Sequence, residues 1–447
     1  MHLASSLMHI QIEEKFSTMY SKTARKISIL SLFVFFVNIS WAQDEAFARK
    51  VIDTLAAPGM HGRGYVNDGE KIAAEYIAHQ FNQLGLESYY RDYFQKFEFP
   101  INTFPGKMDV AINGKILIAG EDYLVLPASP GCDFNGEVVY LNKEQLLDSR
   151  KLLYRANEFE KAALVADLGG FVAPAEKKQA IENINQAANT LKDHPVIWLT
   201  DEKLTWSLAG YTSKAPVIQI KKSSLGQMIQ NVTIDIESKY HEQYKTQNIV
   251  GLLEGKQKDS VIVLTAHYDH LGRMGSDTYF PGANDNASGI AMLLNLAKHF
   301  TKAKQKPEFT IVFIAFGAEE AGLIGSRYFV KNPPFSLAKI KFLINLDLAG
   351  TGDDGITVVN ATKFPDRFYQ LENLNRQYTL LTRVKKRGEA CNSDHCFFYM
   401  AGVPCFYIYT LGGITAYHDI DDKAASLPLT EYRDYFTLLS KFIEHLM

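Results

Sequence analysis

The stretch Val261-Ile262-Val263-Leu264-Thr265-Ala266-His267-Tyr268-Asp269 decides the fold. An unbroken apolar, β-branched run of this length reads as a strand buried on both faces. It ends abruptly in an imidazole and a carboxylate. The same arrangement recurs downstream. Residues 309–316 read as a strand followed by Glu319-Glu320, and residues 342–346 as a strand closed by Asp347. Residues 288–300 and 321–331 carry apolar side chains at helical spacing, as do 364–378 and 429–446, while 404–409 is one more buried strand. Alternating strands and helices predict an α/β domain with a mostly parallel central sheet.

Working outward, residues 43–104 read as helical, with helices at 46–55 and 69–84 separated by the turn Gly62-Arg63-Gly64. The texture then changes. Short β-rich runs appear at 108–112, 116–118, 136–141, 162–166, 196–199 and 217–220, with a helix at 177–191, and Asn113-Gly114 is a hairpin turn. This predicts four segments: a leader over 1–42, a first part of the main domain over 43–104, an inserted β-rich domain over 105–244, and the rest of the main domain over 245–447.

The leader is read from Lys22, Arg25 and Lys26 preceding the apolar run 27–39 and the small-residue end Ser40-Trp41-Ala42, the plan of a secretory signal peptide. Met19 is a second possible start. The apolar run is short for a membrane span, so the expectation is an extracytoplasmic protein, periplasmic or secreted, with no stable membrane anchor after cleavage. Export permits disulfides. Of Cys132, Cys391, Cys396 and Cys405, the preferred pair is Cys391 with Cys396, although four free thiols are also compatible with the sequence. The formal charge of -3 gives no pull toward nucleic acid, and Lys385-Lys386-Arg387 reads as a surface turn.

Ligands of open α/β sheets bind beyond the carboxyl ends of strands. His267, Glu320 and Asp347 arrive there from three strands, and loops bring Asp285 and His418. Each residue alone is weak. Asp347 is the exception, since a carboxylate ending an apolar strand must be paired or bound to metal. Two imidazoles and several carboxylates without thiolate suit zinc. Asp285 is the candidate to bridge two ions. One ion would take His267 with Glu320 or Asp347, the other His418 with the remaining carboxylate. Asp269 could accept the second N–H of His267. Glu319 and Glu320 are adjacent and cannot point the same way, so Glu320 is assigned to metal and Glu319 to general base. Ser393-Asp394-His395 cannot be a catalytic triad, whose groups converge from separate positions. Tyr407 and Tyr409 could face a developing oxyanion, but core packing is the expected role.

The pieces Ala266-His267-Tyr268-Asp269-His270, Gly282-Ala283-Asn284-Asp285-Asn286-Ala287-Ser288-Gly289, Glu319-Glu320-Ala321-Gly322, Asn345-Leu346-Asp347, Ser393-Asp394-His395 and Tyr417-His418-Asp419 together resemble the di-zinc aminopeptidase and glutamate carboxypeptidase-like metallopeptidases, of the bacterial leucyl aminopeptidase type. The resemblance covers residue 248 onward. It implies a three-layer α/β/α Zn-peptidase fold (phosphorylase/hydrolase-like) and two Zn2+ per chain. His267, Asp285, Glu320, Asp347 and His418 would be the ligands, with catalytic roles for Glu319 and Asp269. The implied activity is removal of N-terminal residues from a peptide substrate. A carboxypeptidase or dipeptidase, a glutaminyl cyclase-like enzyme and a non-catalytic relative are the alternatives. The segment 105–244 is similar in position and β-richness to a protease-associated domain. The family often has Thr after the last ligand His, where this chain has Asp419.

Overall fold

Among the described residues the apolar runs assemble into an eight-stranded sheet. Its strands are β1 (Phe94–Thr103), β2 (Lys239–Leu253), β3 (Gln257–His267), β4 (Phe309–Phe316), β5 (Ile340–Asp347), β6 (Ile356–Val359), β7 (Val384–Lys386) and β8 (Cys405–Thr410). Their spatial order is β1-β2-β4-β3-β5-β8-β6-β7. The four central strands β4, β3, β5 and β8 are parallel. β1 and β2 add antiparallel at one edge, and β6 turns antiparallel to β8 at the other. This computed structural model describes residues 39–447, with side chains from residue 45. The leader expected over 1–42 lies outside the described residues as far as position 38. No helix among the described residues is long and apolar enough to cross a membrane. Residues 49–447 form one compact unit.

The parallel strands are buried on both faces because helices cover both, which is why they read as continuous apolar runs. On one face Phe329 of the helix Ile324–Lys331 and Phe398 of the helix His395–Met400 meet Phe316 at ring distances of 5.9 and 6.0 Å. On the other, Phe442 of the helix Tyr432–Leu446 meets Phe342 and Phe406, each at 6.1 Å. These are the three layers of the expected fold. Each buried phenylalanine contributes about 1.5–3 kcal/mol.

Two expectations are corrected. Residues 94–103 are a strand, not part of a helical segment. Phe97, Phe99 and Ile101 are buried while Lys96, Glu98 and Pro100 are exposed, the period of two that marks an edge strand. Lys385-Lys386-Arg387 is not a turn, since Lys385 and Lys386 belong to β7. The Lys386 ammonium lies over the rings of Phe368 and Tyr369 at 4.7 and 4.4 Å, and Arg387 donates to the Tyr409 hydroxyl at 3.0 Å. The side chains' aliphatic stems and cation–π contacts let a basic tripeptide close a sheet edge.

A second eight-stranded sheet is drawn wholly from residues 108–236. Its middle strands Cys132–Leu141, Ala163–Asp167, Val196–Thr200 and Val217–Lys221 are parallel, with the helix Pro174–Thr190 packed on one side. The Asn113-Gly114 hairpin forms, with Ile112 opposite Lys115 and both turn residues at positive φ. Its core runs without a break into Phe104, Leu271, Met274 and Phe280. The Cys391–Cys396 disulfide is formed, and Cys132 and Cys405 are free.

The helix Gly69–Gln83 is tied to the sheet through Glu70. This carboxylate is buried, and accepts from Thr246 and, at 2.9 and 3.1 Å, from Gln247 and Tyr268. Burial pushes it up to about 7, against the pull of the Thr246 and Tyr268 hydrogen bonds. Since an unfolded glutamate titrates near about 4.3, the folded state holds the proton more tightly. Its stabilisation is complete below about pH 4 and is lost as pH rises through about 7. The melting temperature should therefore fall between pH 5 and 8 more steeply in the wild type than in Glu70→Gln. Equal slopes would show that Glu70 does not carry this dependence.

Candidate metal centre

The parallel register sets His267, the Glu319-Glu320 turn and Asp347 on one edge of the sheet. His267 ends β3 opposite Phe316, and Asp347 ends β5 opposite Tyr409. Asp285 comes from an irregular turn, Ala283–Ser288, that opens the helix Gly289–Thr301. His418 comes from the loop after β8. All five site residues are brought together.

The Nε2 atom of His267 lies 3.4 Å from Asp285 Oδ1 and 3.5 Å from Asp347 Oδ1. The Nε2 atom of His418 lies 3.2 Å from Asp285 Oδ2 and 3.3 Å from Glu320 Oε2. Asp285 thus turns one oxygen to each imidazole. Zinc holds nitrogen and oxygen donors tetrahedrally at roughly 2.0–2.2 Å, so two donors on one ion are separated by about 3.4 Å. The four distances match that edge. His270 also stands near Asp285 and Glu320. Its Nδ1 is only 2.8 Å from Glu320 Oε1. That is a hydrogen-bond length, and it makes His270 the group that orients Glu320. Of the pairings left open by sequence, the side chains lie closest as His267 with Asp347 and His418 with Glu320.

Both imidazoles are aimed the same way. The His267 Nδ1 faces the main-chain carbonyl of Asp269 at 3.2 Å, and the His418 Nδ1 faces that of Trp206 at 3.0 Å. A carbonyl only accepts, so each Nδ1 carries hydrogen and each Nε2 points into the cluster. The expectation that the Asp269 carboxylate would take the His267 N–H is corrected, since that carboxylate lies 3.9 Å away. It accepts instead from the main-chain N–H of Glu319 at 3.0 Å, that of Glu320 at 3.3 Å, and the Tyr65 hydroxyl at 3.0 Å. Tyr407 donates to Asp347 Oδ2 at 3.2 Å, which commits its hydroxyl proton to the carboxylate. In Ser393-Asp394-His395, Ser393 accepts from Asn345 and His395 stacks on Tyr407. The three do not form a relay.

The electrostatics are those of a cation site. Burial works against charging the two imidazoles. The surrounding carboxylates override it, raising His267 well above its ordinary value and His418 to about 11. Burial likewise works against ionised Asp285, but its hydrogen bonds to His267 and His418 hold it well below the usual carboxylate range. Burial, with Asp394, Glu320 and Asp347 close by, pushes Glu319 far up, and His267 opposes this. Carboxylates that stabilise two imidazolium charges so strongly would equally stabilise metal dications.

Sequence reasoning missed the residues that hold these site residues in place. Arg63 is fully buried and donates to five main-chain carbonyls: Tyr268 at 2.8 Å, Leu55 at 2.9 Å, Pro281 and Gly282 at 2.7 Å, and Asp285 at 3.1 Å. Asp422 accepts the N–H groups of Asn284 and Asp285 at 2.8 and 2.9 Å. The Gly62-Arg63-Gly64 turn and the carboxylates after His418 were visible signals, but their targets are main-chain atoms of distant segments. Gly282, at φ 59°, lies so close to Arg63 and the Asp285 carbonyl that no side chain fits there.

Residues 248–443 match the sequence model of Peptidase family M28. The chain is 29% identical to Aminopeptidase YwaD of Bacillus subtilis over 349 residues, 75% of this chain and 69% of that protein. It is 31% identical to leupeptin-inactivating enzyme 1 of Streptomyces exfoliatus over 179 residues, 40% of this chain and 37% of that protein. In fold it is similar to BSAP, a zinc aminopeptidase from Bacillus subtilis. The TM-score is 0.66 at 22% identity, covering 90% of this chain and 94% of that one. It is also similar to a Peptidase M28 precursor from Shewanella amazonensis, with a TM-score of 0.61 at 15% identity, covering 92% and 97%.

Replacing Arg63 by Met fills the volume but withdraws five hydrogen bonds from buried carbonyls, of which that of Gly282 keeps the Ala287 N–H at 3.2 Å. At about 1–3 kcal/mol per unsatisfied group, urea unfolding should register a loss of at least about 3 kcal/mol. Arg63→Lys should recover only part, because an ammonium lacks the planar fork. A loss below about 1 kcal/mol would show that these bonds do not hold the loops.

Proposed function

We infer that this chain, a member of peptidase family M28, is an extracytoplasmic zinc exopeptidase that removes N-terminal residues from peptides. The observation that carries the reading is Asp285, with one oxygen toward His267 and Asp347 and the other toward His418 and Glu320. We assign these five residues as ligands of two zinc ions. The relatives' printed names support an aminopeptidase. The segment 105–244 is read as an inserted, protease-associated-like domain. The signal-peptide pattern and the Cys391–Cys396 disulfide support a location outside the cytoplasm, where such bonds persist.

Two zinc ions held by this set would polarise the scissile carbonyl and lower the pKa of water. The chain's own groups do the rest. The Asp269 carboxylate grips the N–H groups of Glu319 and Glu320, so the two adjacent side chains serve separate tasks. Glu320 stays on the cluster, with one oxygen held by His270. Glu319 remains free to take a proton from the attacking water and return it to the leaving amine. Its raised proton affinity suits the first half of that exchange, taking the proton.

Glu319→Gln should lower turnover by about a hundred- to ten-thousand-fold while the zinc content stays near that of wild type. Turnover within about tenfold of wild type would place the base elsewhere. Peptides with free N-termini should release amino acids, whereas N-blocked peptides of the same sequence should not. Equal cleavage of both would overturn the aminopeptidase assignment.

A further inference from the structure

The β-rich insert reaches the metal centre with its main chain. Trp206 N donates to the His418 carbonyl at 2.8 Å, and the Trp206 carbonyl receives His418 Nδ1–H at 3.0 Å. His418 sits at φ 53°, a left-handed conformation that costs a non-glycine residue about 1–2 kcal/mol. It persists because bonds on both sides over-determine it. Trp206 is itself fixed. Its indole N–H donates to the Val125 carbonyl at 2.7 Å, and its ring stacks on Phe280 at 4.7 Å, just before the loop that carries Asp285. Three residues earlier, Lys203 pairs with Asp419 and donates to the Thr415 carbonyl at 2.7 Å.

We propose that the insert's segment from Lys203 to Trp206 is a positioning element of the metal centre, a clamp that sets the ring orientation and tautomer of His418 and so governs occupancy of one of the two metal positions. The proposal rests on the reading of His418 as a ligand. Partners behind a ligating histidine typically change metal affinity by about 10- to 100-fold. Only the ion held by His418 and Glu320 should respond, because His267 is oriented from within the main domain by the Asp269 carbonyl.

The test is zinc titration of the full-length protein against a chelating dye, resolving two binding steps, with circular dichroism to verify folding. Trp206→Ala should weaken one step by about 10- to 100-fold and leave the other unchanged. Trp206→Phe, which retains a ring to stack on Phe280, should restore most of the loss. Lys203→Ala, at a half-exposed position, should weaken the same step to a smaller degree. A folded Trp206→Ala variant with both affinities at wild-type values overturns the clamp alone. A wild type that binds fewer than two ions overturns the ligand assignment and the clamp with it. If Trp206→Ala does not fold, Lys203→Ala decides: a weakened single step supports the clamp, and unchanged affinities refute it.

Discussion

Negative charge packed at the carboxyl edge of one sheet is the constraint from which the rest follows. Asp269, Asp285, Asp347, Asp394 and Asp422 are buried there, with Glu319 and Glu320 beside them. Two such charges about 4 Å apart repel by about 4 kcal/mol even at an effective dielectric near 20. The fold answers with main-chain N–H groups on Asp269 and Asp422, with hydroxyls on Asp269 and Asp347, and with the guanidinium of Arg63 in the loops behind. Protonation takes up part of what remains. Burial, together with the neighbouring acids Asp269 and Asp347, pushes Asp394 up to about 7. Under the proposed assignment, this organisation is what an acidic cluster with a cation to hold requires.

The backbone around the site shows the same logic. Ala318, Leu348 and His418 take left-handed φ of 57°, 46° and 53°. Each flanks or is a site residue. Such conformations survive where surrounding bonds leave no alternative: the Leu348 carbonyl accepts from Thr410 and that of His418 from Trp206, while the Ala318 carbonyl accepts from nearby Ile324. The neighbouring loops are held by bonds from far away in sequence. Arg63 reaches residues 268 to 285, Asp422 reaches 284 and 285, and Trp206 reaches 418. The two sheets are therefore joined at the site and not merely beside it, since Trp206, Phe280 and Leu271 belong to one apolar core.

What the sequence revealed and hid divides along the range of the interaction. The central strands announced themselves because burial on both faces leaves an unbroken apolar run. His267 and Asp347 were legible because polar residues at the ends of such runs contradict their surroundings. β1 was hidden by Lys96, Glu98 and Pro100, which break any apolar run, although its alternation was there to be read. β7 was hidden by its charges, which are stabilised by aromatic rings on the helix Pro365–Tyr378. Arg63, Asp422 and Trp206 act on or through main-chain atoms, which have no residue identity. No local pattern could announce those partners.

The correction at Asp269 bears on the chemistry itself. A carboxylate behind an imidazole ligand would add negative charge to the centre and strengthen that ligand's donation. Here the partners behind His267 and His418 are both neutral carbonyls. Under the proposed assignment, the carboxylates Asp285, Glu320 and Asp347 face two dications, leaving one positive charge uncompensated. On that assignment the excess would draw the carbonyl oxygen of a substrate and would favour the ionised form of Glu319, whose proton affinity the other acids raise. Asp269 is released to grip the turn that sets Glu319 and Glu320 apart. On that assignment the Asp269 carboxylate, still 3.9 Å from the His267 ring, would shape the base through the main-chain N–H groups it holds.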